Sequence, residues 1–496
     1  MNKIVLQNIV FPFQEDETEA LYYRLRGSVG NSPRAVCLPS KRQFGNGISL
    51  KKGSTLSTDT YFNLFDIEAW HKYTGLMNWE LVLQLEGVCC LSFYQWNGKK
   101  TLISEQEIKA DKKAIVETNF SWSARAKMIF FEIEAKEDVV FYQGEYRAEI
   151  LPEKRNPIHL SLLICTYKRE QELCEIITTL KKSLFFDQAS SYYGGMSVRI
   201  VDNATELPEI DEPYISLYHN PNTGGSGGFT RGLSESRRDA TKYGISHVVF
   251  MDDDVKINME TFYRLYALLS LMIPCYQEEV VGGRMFRLDR AYIQYTAAEI
   301  WNKGDVKHIG HEQDMRKEEG LPPMNQKLGQ YAGWWFACYP MSFAGQETPF
   351  PFFLHCDDVE YGLRHGGNPI LLNGIQVWHE TYENRMSPLI RYYDQRNSMI
   401  VNTFYQLYQN ERELFNKWFM RVLYDIRARK FQNLYPTLVA LQDYVRGIDF
   451  FLSNTSKKNV DLPRIFKGWM ILPWILLQIP ILRCRIKGAY KSYTKE

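Results

Sequence analysis

Three aspartates in a row, Asp252-Asp253-Asp254, follow directly on the apolar run Val248-Val249-Phe250-Met251. Carboxylates are hard oxygen donors, and alternate side chains of an extended segment point the same way. Asp252 and Asp254 are therefore expected to share one divalent cation that also bridges a diphosphate. An acidic triplet serves equally as a solvated turn or a helix start; its position at the end of an apolar strand is what favours the metal. Farther along, Val377-Trp378-His379-Glu380 offers His379, which taken alone reads as a core histidine; beside two carboxylates its neutral imidazole suits Mn2+ or Mg2+ as a third ligand.

Three other segments carry polar chemistry. Asn220-Pro221-Asn222-Thr223-Gly224-Gly225-Ser226-Gly227-Gly228 reads as a glycine-rich loop that lets backbone approach a ligand closely, with the next helix offering its positive end to phosphate. It lacks the Lys-Ser or Lys-Thr of a P-loop. In Pro351-Phe352-Phe353-Leu354-His355-Cys356-Asp357-Asp358-Val359-Glu360 an apolar run leads into paired acids, either the charged start of a helix or a source of the base that takes a proton from an acceptor hydroxyl. Gly333-Trp334-Trp335-Phe336 reads as core packing or as a platform for a sugar face, with indole N–H groups turned outward.

These segments need a scaffold. The spacing predicts apolar strands at Leu160–Cys165, Val198–Val201 and His247–Met251 separated by amphipathic helices, the pattern of a parallel α/β sheet whose ligands gather at the strand C-termini. That edge comprises Thr166 to Arg169, Asp202-Asn203 and Asp252 to Asp254. Before it, period-two alternation in Trp79–Glu86 and Ile129–Ala135 predicts a β-sandwich or barrel over residues 1–155, closed by a Pro152–Pro157 linker. The α/β region is expected over 156–387, and long helical patterns follow over 388–496.

Composition excludes several classes. With 496 residues, 45% of them hydrophobic and 24% charged, the chain is globular and long enough for two or three cores. Its 59 basic and 58 acidic residues create no overall field for nucleic acid. Nine scattered cysteines without a CxxC pair favour reduced thiols, and the N-terminus lacks a signal-peptide core, so a cytoplasmic location is expected. Near the C-terminus, the apolar run Trp469 to Leu482 is too short to span a bilayer and carries Pro473 and Pro480 as interruptions. Arg464, Lys467, Arg483, Arg485, Lys487 and Lys491 flank it, which predicts peripheral contact with anionic lipid at the inner membrane face; packing onto the catalytic region is the alternative.

Taken in order, these motifs resemble glycosyltransferase family 2, and within it the bacterial galactofuranosyltransferases. Thr60-Tyr61-Phe62-Asn63-Leu64-Phe65 with Trp70 resembles the N-terminal β-sandwich of that family, and Ile164–Arg169, Ile200–Asn203, Gly224–Gly232, the triplet and Asp357-Asp358-x-Glu360 its catalytic domain. The resemblance implies a GT-A (Rossmann-like) domain that transfers galactofuranose from UDP-galactofuranose with inversion to a glycan or lipid-linked acceptor. It implies a divalent cation on Asp252, Asp254 and His379, Asp358 as base, and uridine contacts from Arg169, Asn203 and Asn222. Further donor contacts are expected at Thr166, Asp202, Gly224, Gly225, Asp252 and Asp253, and acceptor contacts at Trp334, Trp335, Asp357 and Glu360. His355-Cys356 stand where the family pattern has a tryptophan beside the acid pair, a departure on the acceptor side. Other nucleotide sugars (UDP-galactose, UDP-glucose, dTDP-rhamnose), a non-catalytic carbohydrate-binding role and a homo-oligomeric assembly stay open.

Overall fold

A computed structural model describes residues 2–12, 18–27, 37–38, 43–44, 47–119, 123, 125–317, 329–381, 387–455 and 472–494. The fold is mixed α/β. Its N-terminal part is an antiparallel sheet of eight strands, with Asn2–Asn8, Val139–Ile150, Glu80–Trp96, Met128–Ala135, Thr55–Ser57 and Arg24–Arg26 in spatial order. Leu81, Leu83 and Leu85 are buried on one face, as are Ile129, Phe131 and Ile133, and Val82, Phe130 and Glu132 between them are buried as well.

The central six-stranded sheet runs Ile215–His219, Met196–Asp202, Leu160–Thr166, His247–Asp252, Ala337–Pro340 and Val281–Gly282. Its first four strands are parallel and the last two antiparallel to their neighbours. Nearly every side chain of the two central strands is buried, which is why they read as continuous apolar runs rather than alternating ones. A second sheet of five short strands lies beside it and includes Lys256–Ile257, Gln376–His379 and Arg284–Arg287. One face of this sheet presents Phe286 and Trp378 to Tyr61 and Phe62 of the N-terminal part, with ring centroids 4.8 and 6.1 Å apart. Helix Glu260–Leu271 seals that junction: the fully buried Arg264 donates to Glu260, to the Asn373 carbonyl and to the Phe62 carbonyl, at 2.9, 2.8 and 2.7 Å.

Two expectations are corrected. The glycine-rich segment is a helix from its first glycine, Gly224–Tyr243, rather than a loop. Its glycines answer a need for closeness: a Cβ on Gly228 would stand 2.1 Å from Cys165 Sγ, and one on Gly224 2.0 Å from the Phe353 carbonyl oxygen. Near the C-terminus, Pro480 does not interrupt the chain, because one helix runs from Leu472 to Tyr493 through it. Packing holds it: Ile475, Leu482, Ile486, Ala489 and Tyr493 are buried among helices Pro388–Phe404, Glu411–Arg427 and Leu434–Tyr444. Arg464, Lys467 and Trp469 lie outside the described residues.

Candidate active site

Parallel register brings the strand ends level: Thr166 stands opposite Asp202, and Cys165 opposite Asp252. Beyond Asp252 the chain turns through Asp253 and Asp254 into Lys256–Ile257, which pairs antiparallel with Trp378 and Val377. That pairing delivers the next residue, His379, to the acids. One ligand atom from each of Asp252, Asp254 and His379 falls within 4.8 Å of the others, and His379 Nε2 is 3.0 Å from Asp254 Oδ1 and 3.5 Å from Asp252 Oδ2. Two carboxylates and an imidazole at that spacing form a set that could hold a metal ion.

Asp253 turns the other way. Arg169 Nη1 bridges its Oδ1 at 2.7 Å and Asp254 Oδ2 at 2.9 Å, fixing the triplet from the side of the first strand. Burial raises the Asp253 pKa even against that guanidinium. Asn203 is tied to the glycine helix, donating to the Gly224 carbonyl at 2.9 Å and accepting from Asn220 Nδ2 at 2.7 Å, while Asn222 Oδ1 accepts the Gly224 N–H at 3.1 Å. Asp202 lies one layer behind. Its carboxylate accepts the N–H groups of Ala204, Glu206 and Leu207; burial opposes its charge, but these bonds prevail and hold its pKa below the usual range. It staples a loop and does not line the cavity.

The acid pair opens helix Asp357–His365, and the backbone before it is strained: Phe353, His355 and Cys356 have φ of 74°, 63° and 66°. Helix Pro388–Phe404 holds that segment, through Arg396 Nη2 to the Phe352 carbonyl at 2.9 Å and Asn397 Nδ2 to those of Leu354 and His355 at 2.7 and 2.9 Å. Asp357 accepts from Ser226 Oγ at 3.0 Å, which docks it against the glycine helix. Asp358 accepts the Val359 N–H at 2.8 Å. Burial raises both carboxyls; Asp358 goes well above the carboxylate range, because Asp357 and then Glu299 add negative charge beside it.

All of this surrounds one cavity of about 780 Å3. Thr166, Arg169, Asn203, Asn222, Gly224, Gly225, the triplet and His379 line it, as do Asp357 and Asp358. Trp334 and Trp335 border it, but with indoles packed inward. Trp334 stacks on Phe250 at 4.5 Å, and Trp335 Nε1 donates to the Gly283 carbonyl at 2.7 Å, a fold-back that Gly333 permits by having no Cβ. The expected outward donor at Trp335 is thus corrected. Glu360 is likewise directed away from the cavity: it pairs with Arg364 and accepts from Tyr405 Oη at 3.1 Å. The motifs had not pointed to the far wall, made of Tyr295, Glu299, Trp301, Asp305, His308, Tyr331 and, from the C-terminal helices, Leu389, Ile390 and Asp394. Asn302-Lys303-Gly304-Asp305 between alternating residues was the available signal, a two-residue hairpin turn.

A model of the galactofuranosyltransferase 2 N-terminal domain matches residues 6–149, and one of glycosyl transferase family 2 matches residues 161–280. The chain is 23% identical over 434 residues to the galactofuranosyltransferase GlfT2 of Mycolicibacterium smegmatis, covering 80% of this chain and 64% of that enzyme. Against GlfT2 of Mycobacterium tuberculosis it is 23% identical over 445 residues, covering 80% and 65%. The chain thus spans just under two thirds of the length of these relatives. Among solved structures, the CBM22-1 xylan-binding domain of Paenibacillus barcinonensis Xyn10C covers 29% of this chain and 93% of its own at 11% identity, with a TM-score of 0.19 that is too low to speak for the fold.

Proposed function

We propose, from the match of a family 2 glycosyl transferase model to residues 161–280 and of a galactofuranosyltransferase 2 N-terminal model to residues 6–149, that the chain is a family 2 glycosyltransferase that transfers galactofuranose from UDP-galactofuranose, with inversion, to a glycan or lipid-linked acceptor. The catalytic domain is read as GT-A. One observation carries the proposal: the cavity that gathers Asp252, Asp254 and His379 is also lined by Asp358, a carboxyl whose surroundings oppose its charge. Asp252, Asp254 and His379 would hold the divalent ion, which supplies Lewis-acid stabilisation of the departing diphosphate. Asn203, Asn222 and the start of the glycine helix orient the nucleotide, while Arg169 keeps Asp253 and Asp254 in place. Asp358 accepts the proton of the attacking hydroxyl, and its raised pKa makes it a stronger base than an ordinary aspartate.

Replacing Asp358 by Ala should leave UDP binding within about twofold while lowering transfer by about 10^3 or more. Turnover near that of the unaltered enzyme would remove Asp358 from the mechanism. A panel of UDP-galactofuranose, UDP-galactose, UDP-glucose and dTDP-rhamnose tests the donor, and exclusive use of a pyranose would overturn galactofuranose.

Peripheral membrane contact forms part of the proposal. Among the described residues no helix is long and apolar enough to cross a bilayer. Leu476, Leu477 and Ile481 are exposed on helix Leu472–Tyr493 in front of Arg483, Arg485 and Lys487. Removing residues 464–496 should abolish salt-sensitive binding to anionic vesicles; equal binding without them would refute the contact.

A further inference from the structure

Part of the far wall of the cavity is a small hairpin, Glu299–Asn302 paired with Asp305–His308. Its turn, Lys303-Gly304, has φ of 53° and 95°, the positive values that a two-residue turn of this kind needs. Glu299 is fixed within the wall, accepting from Tyr331 Oη at 2.7 Å and facing His308 Nδ1 at 2.9 Å. The tip of the hairpin reaches over to the C-terminal helices. Buried Trp301 donates from Nε1 to Asn402 Oδ1 at 2.8 Å, and a Cβ on Gly304 would meet Ser398 Cβ at 3.4 Å. Three ion pairs then join the tip to helix Glu411–Arg427: Lys303 to Glu413 at 2.5 Å, and Asp305 to Lys417 at 2.6 Å and to Arg421 at 3.3 Å.

Lys417 and Arg421 do not line the cavity, whereas Asp305 does. We propose that helix Glu411–Arg427 is an acceptor-positioning element, whose Lys417, Arg421 and Glu413 clasp the hairpin tip and so set the wall opposite the nucleotide side. The inference rests on the glycosyltransferase reading, in which the acceptor enters from beyond Asp358. Its physical basis is a contrast within the clasp. The Trp301–Asn402 bond, one residue pair from the turn, is buried, while the ion pairs are about a third to a half exposed and individually weak. Losing them shifts the tip without unfolding the domain. A small displacement of a positioning wall is felt in acceptor binding, since reacting groups must be held close to their productive geometry.

The test is the double variant Lys417→Glu/Arg421→Glu in the full chain. At saturating donor its acceptor KM should rise about tenfold, while UDP release without acceptor stays within about twofold of the unaltered enzyme. The charge-preserving variant Lys417→Arg/Arg421→Lys should keep acceptor KM within about twofold. Amide hydrogen exchange over residues 299–308 should be faster in the charge-reversed variant. An unchanged acceptor KM, or an equal fall in transfer and in UDP release, would overturn the positioning role. If the unaltered protein released UDP from no donor, the glycosyltransferase reading would fail, and unchanged exchange over 299–308 would separately refute the clasp.

Discussion

The two ends of the central sheet are built from the same strands and face the same physical problem with opposite results. At the C-terminal ends, Asp253 and Asp357 are buried and Asp358 half-buried, and the pKa values of all three are raised. At the N-terminal ends, His159 and His247 are buried bases pushed down to about 4, His159 by burial and then the Arg199 charge, His247 by burial alone. Low dielectric disfavours charge at both ends. At the base, each ring meets a serine: His159 Nε2 lies 2.9 Å from Ser197 Oγ, and His247 Nδ1 3.0 Å from Ser246 Oγ. Neutral imidazoles close that end as packing. The upper end opens into a cavity, so there the same penalty leaves carboxyls with raised proton affinity where a substrate can reach them. The comparison teaches that a perturbed pKa becomes chemistry only where there is room beside it.

If that division holds, changes at the upper end should damage activity and changes at the base should damage stability. Next to Asp358→Ala, the largest effect is expected for Asp254→Ala, which removes a cluster member adjacent to His379. Transfer should fall by about 10^3, and adding Mn2+ or Mg2+ in excess should not restore it, while the melting temperature stays within a few degrees. A melting temperature lowered in proportion to activity would break the division. Gly224→Ala comes next. With φ of 72° and a Cβ placed 2.0 Å from the Phe353 carbonyl, the start of the glycine helix must move. UDP affinity measured by calorimetry should drop about 100-fold; unchanged affinity would detach this helix from the nucleotide side.

The sequence made the upper end partly readable because strand direction does the positioning there. An apolar run that stops at an acid places that acid at the sheet edge, so Asp252 and Asp254 could be paired from spacing alone, whereas His379, on its own short strand, reads as a core residue until those acids are set beside it. Role assignments at Asp202 and Glu360 are less direct, since nothing in a linear motif tells whether a carboxylate faces the ligand or, as at Asp202, binds its own loop. The glycine cluster misled in another way: five glycines suggest a loop by propensity, yet close packing against Cys165 and Phe353 makes them helical. Least legible was the far wall. Glu299, Trp301 and Asp394 converge only through contacts such as Trp301–Asn402, more than a hundred residues apart in the chain. Long-range assembly of that kind leaves no local period to read.

The smallest expected effect is at the base of the sheet and concerns pH. Burial holds the folded His247 pKa at about 4, against 6.5 for a free histidine. Between those values the unfolded chain binds a proton that the folded chain does not, so stability rises with pH across the window and is lost on acidification through it. The contribution is complete above pH 6.5 and gone once the pH falls below about 4. His247→Gln keeps a polar side chain able to reach Ser246 and removes the titration. At pH 7 the variant should be slightly less stable than the unaltered protein, through imperfect packing. At pH 4.5 the difference should have moved in the variant's favour by about 2 kcal/mol, a discounted figure for a shift of this size. Urea unfolding at several pH values measures it, with transfer activity at pH 7 expected to remain within about twofold. A stability difference that does not vary between pH 7 and 4.5 would mean that His247 takes up its proton as readily in the fold as in the unfolded chain, and the contrast between the two ends of the sheet would then lose its lower half.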